Sequence, residues 1–216
     1  MRTSVEAVSC CFDEESERML KDFRKKGLRK ASRVILADLT SRGLKGTTSL
    51  ELGCGVGGLT VGLLDGGVVA ATGLDLSPKM IEVANKLAKE SGFMGSATFE
   101  VGDGADVPLI RADTVILDSV LCCYPDVGRL VQNSCSAAKK FYAISLPDSR
   151  RTVTKLLRRF LPLQSLFRRK SGFRFYVPSL DEILLVLKKN GFTCVFDSAA
   201  GYTWSVLVFA ADPLRN

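Results

Sequence analysis

The stretch Ser49-Leu50-Glu51-Leu52-Gly53-Cys54-Gly55-Val56-Gly57-Gly58 decides the fold of this chain. An apolar segment carrying one acid leads directly into a glycine-rich turn, and an apolar helix is predicted at residues 59–64. Glycine is required where a turn is tight and where a ligand approaches the bare backbone. The N-terminus of the following helix offers free N–H groups and the positive end of a dipole. The stretch therefore predicts a site for a nucleotide-type cofactor.

Strands and helices alternate after this turn. Apolar runs predict four further strands, at residues 68–74, 97–101, 114–117 and 141–146. Because these runs lack polar alternation, we expect a parallel sheet that is buried on both faces by helices. Two last strands, at 192–196 and 204–210, are joined by a short link, which predicts an antiparallel pair at the end of the sheet.

Helix signals divide the chain into two parts. Residues 12–43 show helical spacing of apolar residues and predict two helices, so we assign 1–46 as an N-terminal helical segment that packs on the fold or covers the site. Ser77 has the side chain of a helix N-cap, and a further helix is predicted to follow from Ser179. Residues 47–216 then form the cofactor-binding domain, with a basic insert at about 150–178.

Composition narrows the chemistry. The 216 residues include no histidine, which excludes catalytic triads, histidine bases and histidine metal ligands, and we expect no metal site. Seven cysteines without a CxxC spacing do not predict a disulfide framework, and the first residues lack the apolar region of a signal peptide. We therefore expect a reduced, cytoplasmic protein.

Basic residues are concentrated between Asp148 and Asp181, where no acid occurs. These nine positive charges exceed the net charge of +7, so the rest of the chain is slightly acidic. They are Arg150, Arg151, Lys155, Arg158, Arg159, Arg168, Arg169, Lys170 and Arg174. Apolar residues interleave with them, which suits peripheral contact of segment 150–174 with an anionic membrane. There are three alternatives to a membrane contact: a clamp on an anionic substrate, an RNA-binding surface and a solvated helix face. We favour the membrane over nucleic acid. We expect no obligate protein partner.

Two cofactors fit the glycine turn. Gly53, Gly55 and Gly58 satisfy G-x-G-x-x-G, which is compatible with an NAD-dependent oxidoreductase. Three acids favour another cofactor: Glu51 precedes the first glycine, Asp75 ends the second strand and Asp103 follows the third. A carboxylate such as Asp75 accepts hydrogen bonds from both hydroxyls of a ribose.

This ordered set of glycines and acids resembles the class I S-adenosylmethionine-dependent methyltransferases. The resemblance implies a Rossmann-like α/β fold with a seven-stranded, mostly parallel sheet, an antiparallel last strand, and the cofactor at the carboxyl ends of the strands. It also implies S-adenosyl-L-methionine as cofactor and a set of contact residues. These are Glu51, Gly53, Cys54, Gly55, Gly57, Asp75, Leu76, Ser77, Met80, Asp103, Gly104, Asp118 and Ser119. A fold that has lost catalysis and binds membrane or RNA is the non-enzymatic alternative.

The stretch Leu117-Asp118-Ser119-Val120-Leu121-Cys122-Cys123-Tyr124-Pro125-Asp126 is similar to the magnesium-protoporphyrin O-methyltransferase branch of that family. The resemblance implies a methyl acceptor beyond the fourth strand. A hydroxyl acceptor requires a base, for which Asp118, Tyr124 and Tyr176 are the candidates besides lysine. An ionised carboxylate requires none, so the missing histidine favours a small anionic or amphiphilic acceptor, with a thiol or an amine as alternatives. The adjacent cysteines are interpreted as apolar packing residues or as reactive thiols.

Overall fold

The computed structural model describes residues 4–154 and 173–214. Residues 155–172, which hold most of the predicted basic segment, lie outside the described part. The membrane interpretation of that segment therefore stays a prediction. Among the described residues, no helix has the length and apolar content needed to cross a bilayer.

The described residues form alternating helices and strands. The helices are α1 Ser4–Lys26, α2 Lys30–Ser41, α3 Gly58–Asp65, α4 Pro78–Glu90, α5 Val127–Ala137 and α6 Leu180–Lys189. The strands are β1 Thr48–Leu52, β2 Ala70–Asp75, β3 Ala97–Val101, β4 Ala112–Asp118, β5 Ala138–Pro147, β6 Phe192–Ala199 and β7 Trp204–Ala211. The predicted strands are all present, whereas helix α5 was not predicted and α1 begins eight residues before its predicted start.

The seven strands form one sheet in the order β3-β2-β1-β4-β5-β7-β6. Strands β1 to β5 are parallel, and β7 is antiparallel to both of its neighbours, β5 and β6. The mostly parallel sheet with an antiparallel pair at one end is confirmed. Strand order reverses between β1 and β4, and ligands of open α/β sheets bind beside such a reversal, at the carboxyl ends of the strands.

Helices cover both faces of the sheet. On one face, α5 and α6 pack side chains such as Val131 and Leu187 against the buried residues of β4 and β5. On the other face, α2 and α3 contribute Ile35 and Leu63, both fully buried. Burial of one such side chain stabilises the fold by about 1.5–3 kcal/mol, so these two layers hold the strand ends in place.

Helix caps fix the loops that lead into the site. Ser77 caps α4, because its Oγ accepts a hydrogen bond from the N–H of Met80 at 3.1 Å. Ser179 caps α6 in the same way, through the N–H of Glu182. The predicted N-cap at Ser77 is confirmed, and so is the helix predicted after Ser179.

Two residues of the basic segment are used within the fold. Arg150 donates to the carboxylates of Asp148 and Asp197, and Arg151 donates to the hydroxyl of Ser205. Their charges are partly balanced inside the protein. The membrane prediction consequently depends on the basic residues that follow Arg151.

Candidate active site

A cavity of about 680 Å³ opens at the carboxyl ends of β1 to β4. Its floor consists of the turns that follow these strands, and residues of α1 and the start of α2 form the facing wall. Sites for small molecules and cofactors have volumes of about 300–1,000 Å³, so the space suits a nucleotide-type ligand together with a second small molecule. We refer to it as the site cavity.

The glycine turn presents bare backbone to this cavity. Gly53, Gly55 and Gly57 have positive φ angles of 65°, 53° and 75°, which other residues rarely adopt. A side chain at Gly53 would also collide with Val120. Helix α3 starts after Gly57 without a side-chain cap, and Gly58 lines the cavity, so N–H groups are available to a ligand there.

Two carboxylates follow β2 and β3. The Asp75 oxygens accept hydrogen bonds from the N–H groups of Gly55 and Ser77, both at 2.9 Å. Asp103 accepts from the N–H of Ala105 and from the hydroxyl of Tyr124, at 3.0 and 2.7 Å. These hydrogen bonds fix both carboxylates in place. Because each carboxylate oxygen has two lone pairs, both groups still have acceptor capacity towards the cavity. This arrangement fits the hydroxyl and amino groups of a nucleoside.

Glu51 lies buried in the cavity wall and is 3% exposed. Its Oε2 accepts a hydrogen bond from the hydroxyl of Thr60. Burial raises the pKa of Glu51 to about 8, and the negative charge of Asp118 contributes to that rise. The ligand-free protein thus holds a carboxyl group that a positively charged ligand would ionise.

Asp118 ends β4 and is surrounded by hydroxyl groups. It accepts hydrogen bonds from Ser32 of α2, from Ser119 and from Ser145 of β5. Although buried, it lines the cavity. Three donors hold the carboxylate, so Asp118 joins α2, β4 and β5 at the bottom of the site.

Tyr124 does not have the environment of a general base. Its hydroxyl donates to both oxygens of Asp103, at 2.7 and 2.9 Å. Burial and this hydrogen bond raise the pKa of Tyr124 well above its usual value. The hydroxyl is therefore protonated at neutral pH, and the structure argues against the predicted role of Tyr124 as a base.

Positive charges surround the outer part of the cavity. We call them the cationic rim: Arg18, Lys26, Arg29, Lys30 and Arg33. Lys26 pairs with Asp22 and Arg18 with Glu15. Within residues 4–154 and 173–214, Arg29 and Lys30 make neither a hydrogen bond nor an ion pair through their side chains. The aromatic side chains of Phe12, Phe175 and Trp204 also line the cavity.

Residues 44–200 match the sequence model of a family described as methyltransferase domain. The chain belongs to this family. The match covers the glycine turn, Asp75, Asp103 and the sheet as far as β6. The strand order, with β7 antiparallel between β5 and β6, is that of the class I S-adenosylmethionine-dependent methyltransferases.

Solved structures of other methyltransferases share this fold. The magnesium protoporphyrin IX methyltransferase of Synechocystis, solved with bound SAH (S-adenosylhomocysteine), superposes with a TM-score of 0.70 at 26% identity, over 84% of this chain and 82% of that chain. An O-methyltransferase family protein of Burkholderia thailandensis gives a TM-score of 0.70 at 15% identity, over 93% of this chain and 61% of that one.

Curated relatives match over a shorter stretch. The ajmaline N-methyltransferase of Rauvolfia serpentina is 32% identical over 59 residues, which is 27% of this chain and 20% of that protein. The norajmaline N-methyltransferase of the same plant is 36% identical over 59 residues. Since the match spans about a fifth of these relatives, their acceptors are not transferred to this methyltransferase.

Most of the predicted contact residues line the site cavity of this methyltransferase. They are Glu51, Gly53, Cys54, Gly55, Asp75, Leu76, Asp103, Gly104, Asp118 and Ser119. Gly57, Ser77 and Met80 are described but lie outside the lining. Ser77 and Met80 are fully buried, the first as the α4 cap and the second in a cluster with Leu20 of α1.

Gly57 and Tyr176 are two predicted residues that lie beside the cavity and not in its lining. A side chain at Gly57 would come within 2.9 Å of Phe99 and 3.0 Å of Ala84, so this glycine serves helix packing. Tyr176 lies outside the lining, and its N–H donates to the carbonyl of Cys122, whereas its neighbour Phe175 reaches the cavity. The role of Tyr176 as a base stays a prediction.

Sequence analysis missed three contributors to the site. Ser32 and Ser145 hold Asp118 from positions 86 and 27 residues away, and neither position carries a local signal. Arg29 is one of several cations near Gly27 and belongs to no motif, so its sequence position alone does not assign it to the site. That unusual density of positive charge was the available signal.

Proposed function

We propose that this methyltransferase transfers the methyl group of S-adenosylmethionine to a small anionic or amphiphilic acceptor, with a carboxylate oxygen as the favoured acceptor atom. The observation that carries the proposal is that one cavity combines the cofactor-type floor with the cationic rim and several aromatic side chains. Unpaired arginine beside aromatic surface suits a flat molecule that bears a carboxylate.

The residues present fit S-adenosylmethionine. Asp75 and Asp103 would hold its nucleoside, and the backbone of the glycine turn and Glu51 would meet its amino-acid end. When bound, the cofactor supplies an electrophilic methyl group on a positively charged sulfur. The contribution of the protein is then to hold the acceptor oxygen in line with that methyl group and to exclude water, which is a large part of the rate enhancement for such reactions.

The lack of histidine and the protonated state of the Tyr124 hydroxyl support a carboxylate acceptor. The chain contains no histidine, the Tyr124 hydroxyl remains protonated, and Asp118 is held by three hydroxyl donors. A carboxylate is already ionised at neutral pH and gives up no proton on methylation. Arg29 lines the same cavity and would pair with that carboxylate.

The test is methyl transfer from labelled S-adenosylmethionine to matched pairs of acceptors. Each pair contains an aromatic carboxylic acid and its primary amide, and a protoporphyrin and its dimethyl ester form one further pair, chosen because of the structural neighbour. We expect transfer to the acids and loss of transfer when the carboxylate is masked. Equal transfer to acid and amide, or transfer to amines and thiols alone, would contradict the carboxylate assignment but leave methyl transfer intact.

We also propose peripheral binding of segment 150–174 to anionic membranes. The support is the sequence of the segment, since its charges alternate with apolar residues. Arg158→Gln combined with Arg159→Gln should weaken binding to phosphatidylserine vesicles about tenfold or more, at about 1 kcal/mol per charge. The matched control is Lys86→Gln with Lys89→Gln. An equal loss of vesicle binding in the two double variants would show that binding depends on overall charge and not on this segment.

A further inference from the structure

Cys122 and Cys123 place two thiols side by side in the wall of the site cavity. Their sulfur atoms are 3.5 Å apart, and both approach the carbonyl of Ser119. Cys122 is buried against the protein interior, whereas Cys123 is half-buried. We call these two residues the thiol pair.

The two thiols differ in acidity because they share one hydrogen bond. With Cys122 as donor, the pKa of Cys123 falls and the pKa of Cys122 rises. The positive charge of Arg29 favours the ionised form of Cys123 in addition. A thiolate is the nucleophilic and metal-binding form of cysteine, so Cys123 is the more reactive member.

A disulfide within the pair would be strained. The Cα atoms of adjacent residues lie about 3.8 Å apart across a trans peptide, below the range of about 4.4–6.8 Å found in disulfides. Two sulfurs at 3.5 Å suit a different arrangement, in which both bond to one bridging atom. Among residues 4–154 and 173–214, no group of three or more His, Cys, Asp or Glu could hold a metal ion. A ligand that requires two sulfurs therefore fits better than a multidentate metal ion.

We propose that the thiol pair is a binding site for trivalent arsenic compounds. Thiolates select soft partners, and pyramidal arsenic(III) bonds two sulfurs at the separation of neighbouring thiols. With an organic arsenoxide, two As–S bonds form and the bonds from arsenic to oxygen break. The two thiol protons leave with that oxygen as water, so arsenic keeps its oxidation state and no oxidant is required. The bound arsenical lies in the cavity beside Ser119 and Arg29.

Phenylarsine oxide is the probe, and Trp204 reports its binding. Trp204 is the only tryptophan in the sequence and lines the same cavity. We expect a fluorescence change that saturates at one equivalent and is reversed by a small dithiol but not by a monothiol. Failure of the reduced wild-type protein to bind at this stoichiometry would contradict the proposal.

Single substitutions locate the site. Cys122→Ser and Cys123→Ala should each weaken binding at least a hundredfold, since one As–S bond is lost in either variant. Circular dichroism and thermal unfolding establish that each variant is folded, and Cys123→Ala is the milder change because Cys123 is only half-buried.

The chain provides a matched control in Cys10 and Cys11, the other adjacent cysteines. They lie on helix α1, where the side chains of successive residues do not face each other. Cys10→Ser combined with Cys11→Ser should leave binding unchanged. Loss of binding in this control, or its retention in either folded variant of the thiol pair, would contradict the assignment.

Discussion

Buried carboxyl groups make this site sensitive to pH at the level of single residues. Glu51 has a pKa raised to about 8 by its burial, and its carboxyl group faces the cavity. A cationic ligand favours the ionised carboxylate and lowers that pKa. Binding of the ligand therefore releases a proton wherever Glu51 is protonated in the free protein.

The affinity for S-adenosylmethionine should consequently rise with pH up to about 8 and then level off. Across pH 6 to 8 the ionised fraction of Glu51 rises from about 1% to about 50%, so we expect a gain in affinity of up to about fiftyfold, and Glu51→Gln should remove most of this dependence. Calorimetric titrations at several pH values measure the affinity. Repeating them in buffers of different ionisation enthalpy gives the number of protons released on binding. Equal pH profiles for the wild type and Glu51→Gln would show that Glu51 is not the group that ionises.

Tyr124 provides a second prediction at the residue scale. Because its hydroxyl donates to Asp103, Tyr124→Phe removes a hydrogen bond to a charged group and should weaken cofactor binding by about 1.5–3 kcal/mol. The maximal rate should change less than tenfold at saturating cofactor. Removal of a general base instead costs about 10²–10⁴ in rate. Steady-state kinetics distinguish the two, and a rate loss of that size with unchanged cofactor affinity would restore Tyr124 as a base.

Helix α1 is the element that closes the cavity on one side. The carboxylate of Asp13 accepts hydrogen bonds from the Ser77 hydroxyl and from the N–H of Lys79, at the start of α4. Arg24 at the other end of α1 pairs with Glu90 at the end of α4. The ion pair of Arg24 with Glu90 is exposed and contributes little to the stability of the α1–α4 contact. Loss of the Asp13 carboxylate, which accepts from an N–H at the start of α4, costs about 1 kcal/mol.

Asp13→Ala should therefore loosen α1 without unfolding the protein. We expect amide hydrogen exchange in α1 to accelerate roughly fivefold and S-adenosylmethionine to dissociate faster, because α1 contributes Phe12 and Met19 to the cavity wall. Glu14→Ala is the control, since Glu14 is exposed on the same helix. If amide hydrogen exchange in α1 of the Asp13→Ala variant stays at the wild-type rate, packing alone holds the helix.

Elements differed in how well the sequence predicted them. The strands carry continuous apolar runs, and Ser77 carries a cap signal, so these features were predicted correctly. Helix α5 contains Gly128, Asn133 and two serines, which are weak helix formers. It is stabilised by tertiary packing of Leu130 and Val131 and by the Asp126 cap, which short-range patterns do not show.

Only the parts of the site whose residues lie close together in the sequence could be predicted. The glycine turn and the acids at strand ends lie next to the segments that identify them. The hydroxyl shell of Asp118 comes from Ser32 and Ser145, which the fold brings together from distant positions. The burial that raises the pKa of Glu51 is also a property of the assembled fold.

At the scale of the whole molecule, an ion pair between the buried Asp148 and the half-exposed Arg150 ties the end of β5 to the β6–β7 hairpin. Asp148 is 2% exposed and accepts hydrogen bonds from Arg150 and Ser205. Burial alone would raise its pKa, but these donors lower the pKa of Asp148 to about 2. The stabilisation is complete above the unfolded-state pKa of about 4 and is lost as the pH falls through about 2.

We expect Asp148→Asn to lower the free energy of unfolding by about 2 kcal/mol at pH 7. The difference from the wild type should shrink as the pH falls from 4 to 2, because protonation removes the same charge in the wild type. Urea unfolding at several pH values measures this. A difference that stays constant over that range would assign the effect to lost packing instead of lost charge.

Calorimetric titration of S-adenosylmethionine into wild type, Asp103→Asn and Asp106→Asn tests the central claim most directly. Asp103 faces the cavity, whereas the neighbouring Asp106 pairs with Arg129 on the surface, so the two variants remove equal charge from one loop. We predict one site per chain, a loss of affinity of about tenfold to a hundredfold in Asp103→Asn, and wild-type affinity in Asp106→Asn. Absence of binding to the wild type, or equal affinity in all three proteins, would contradict the account.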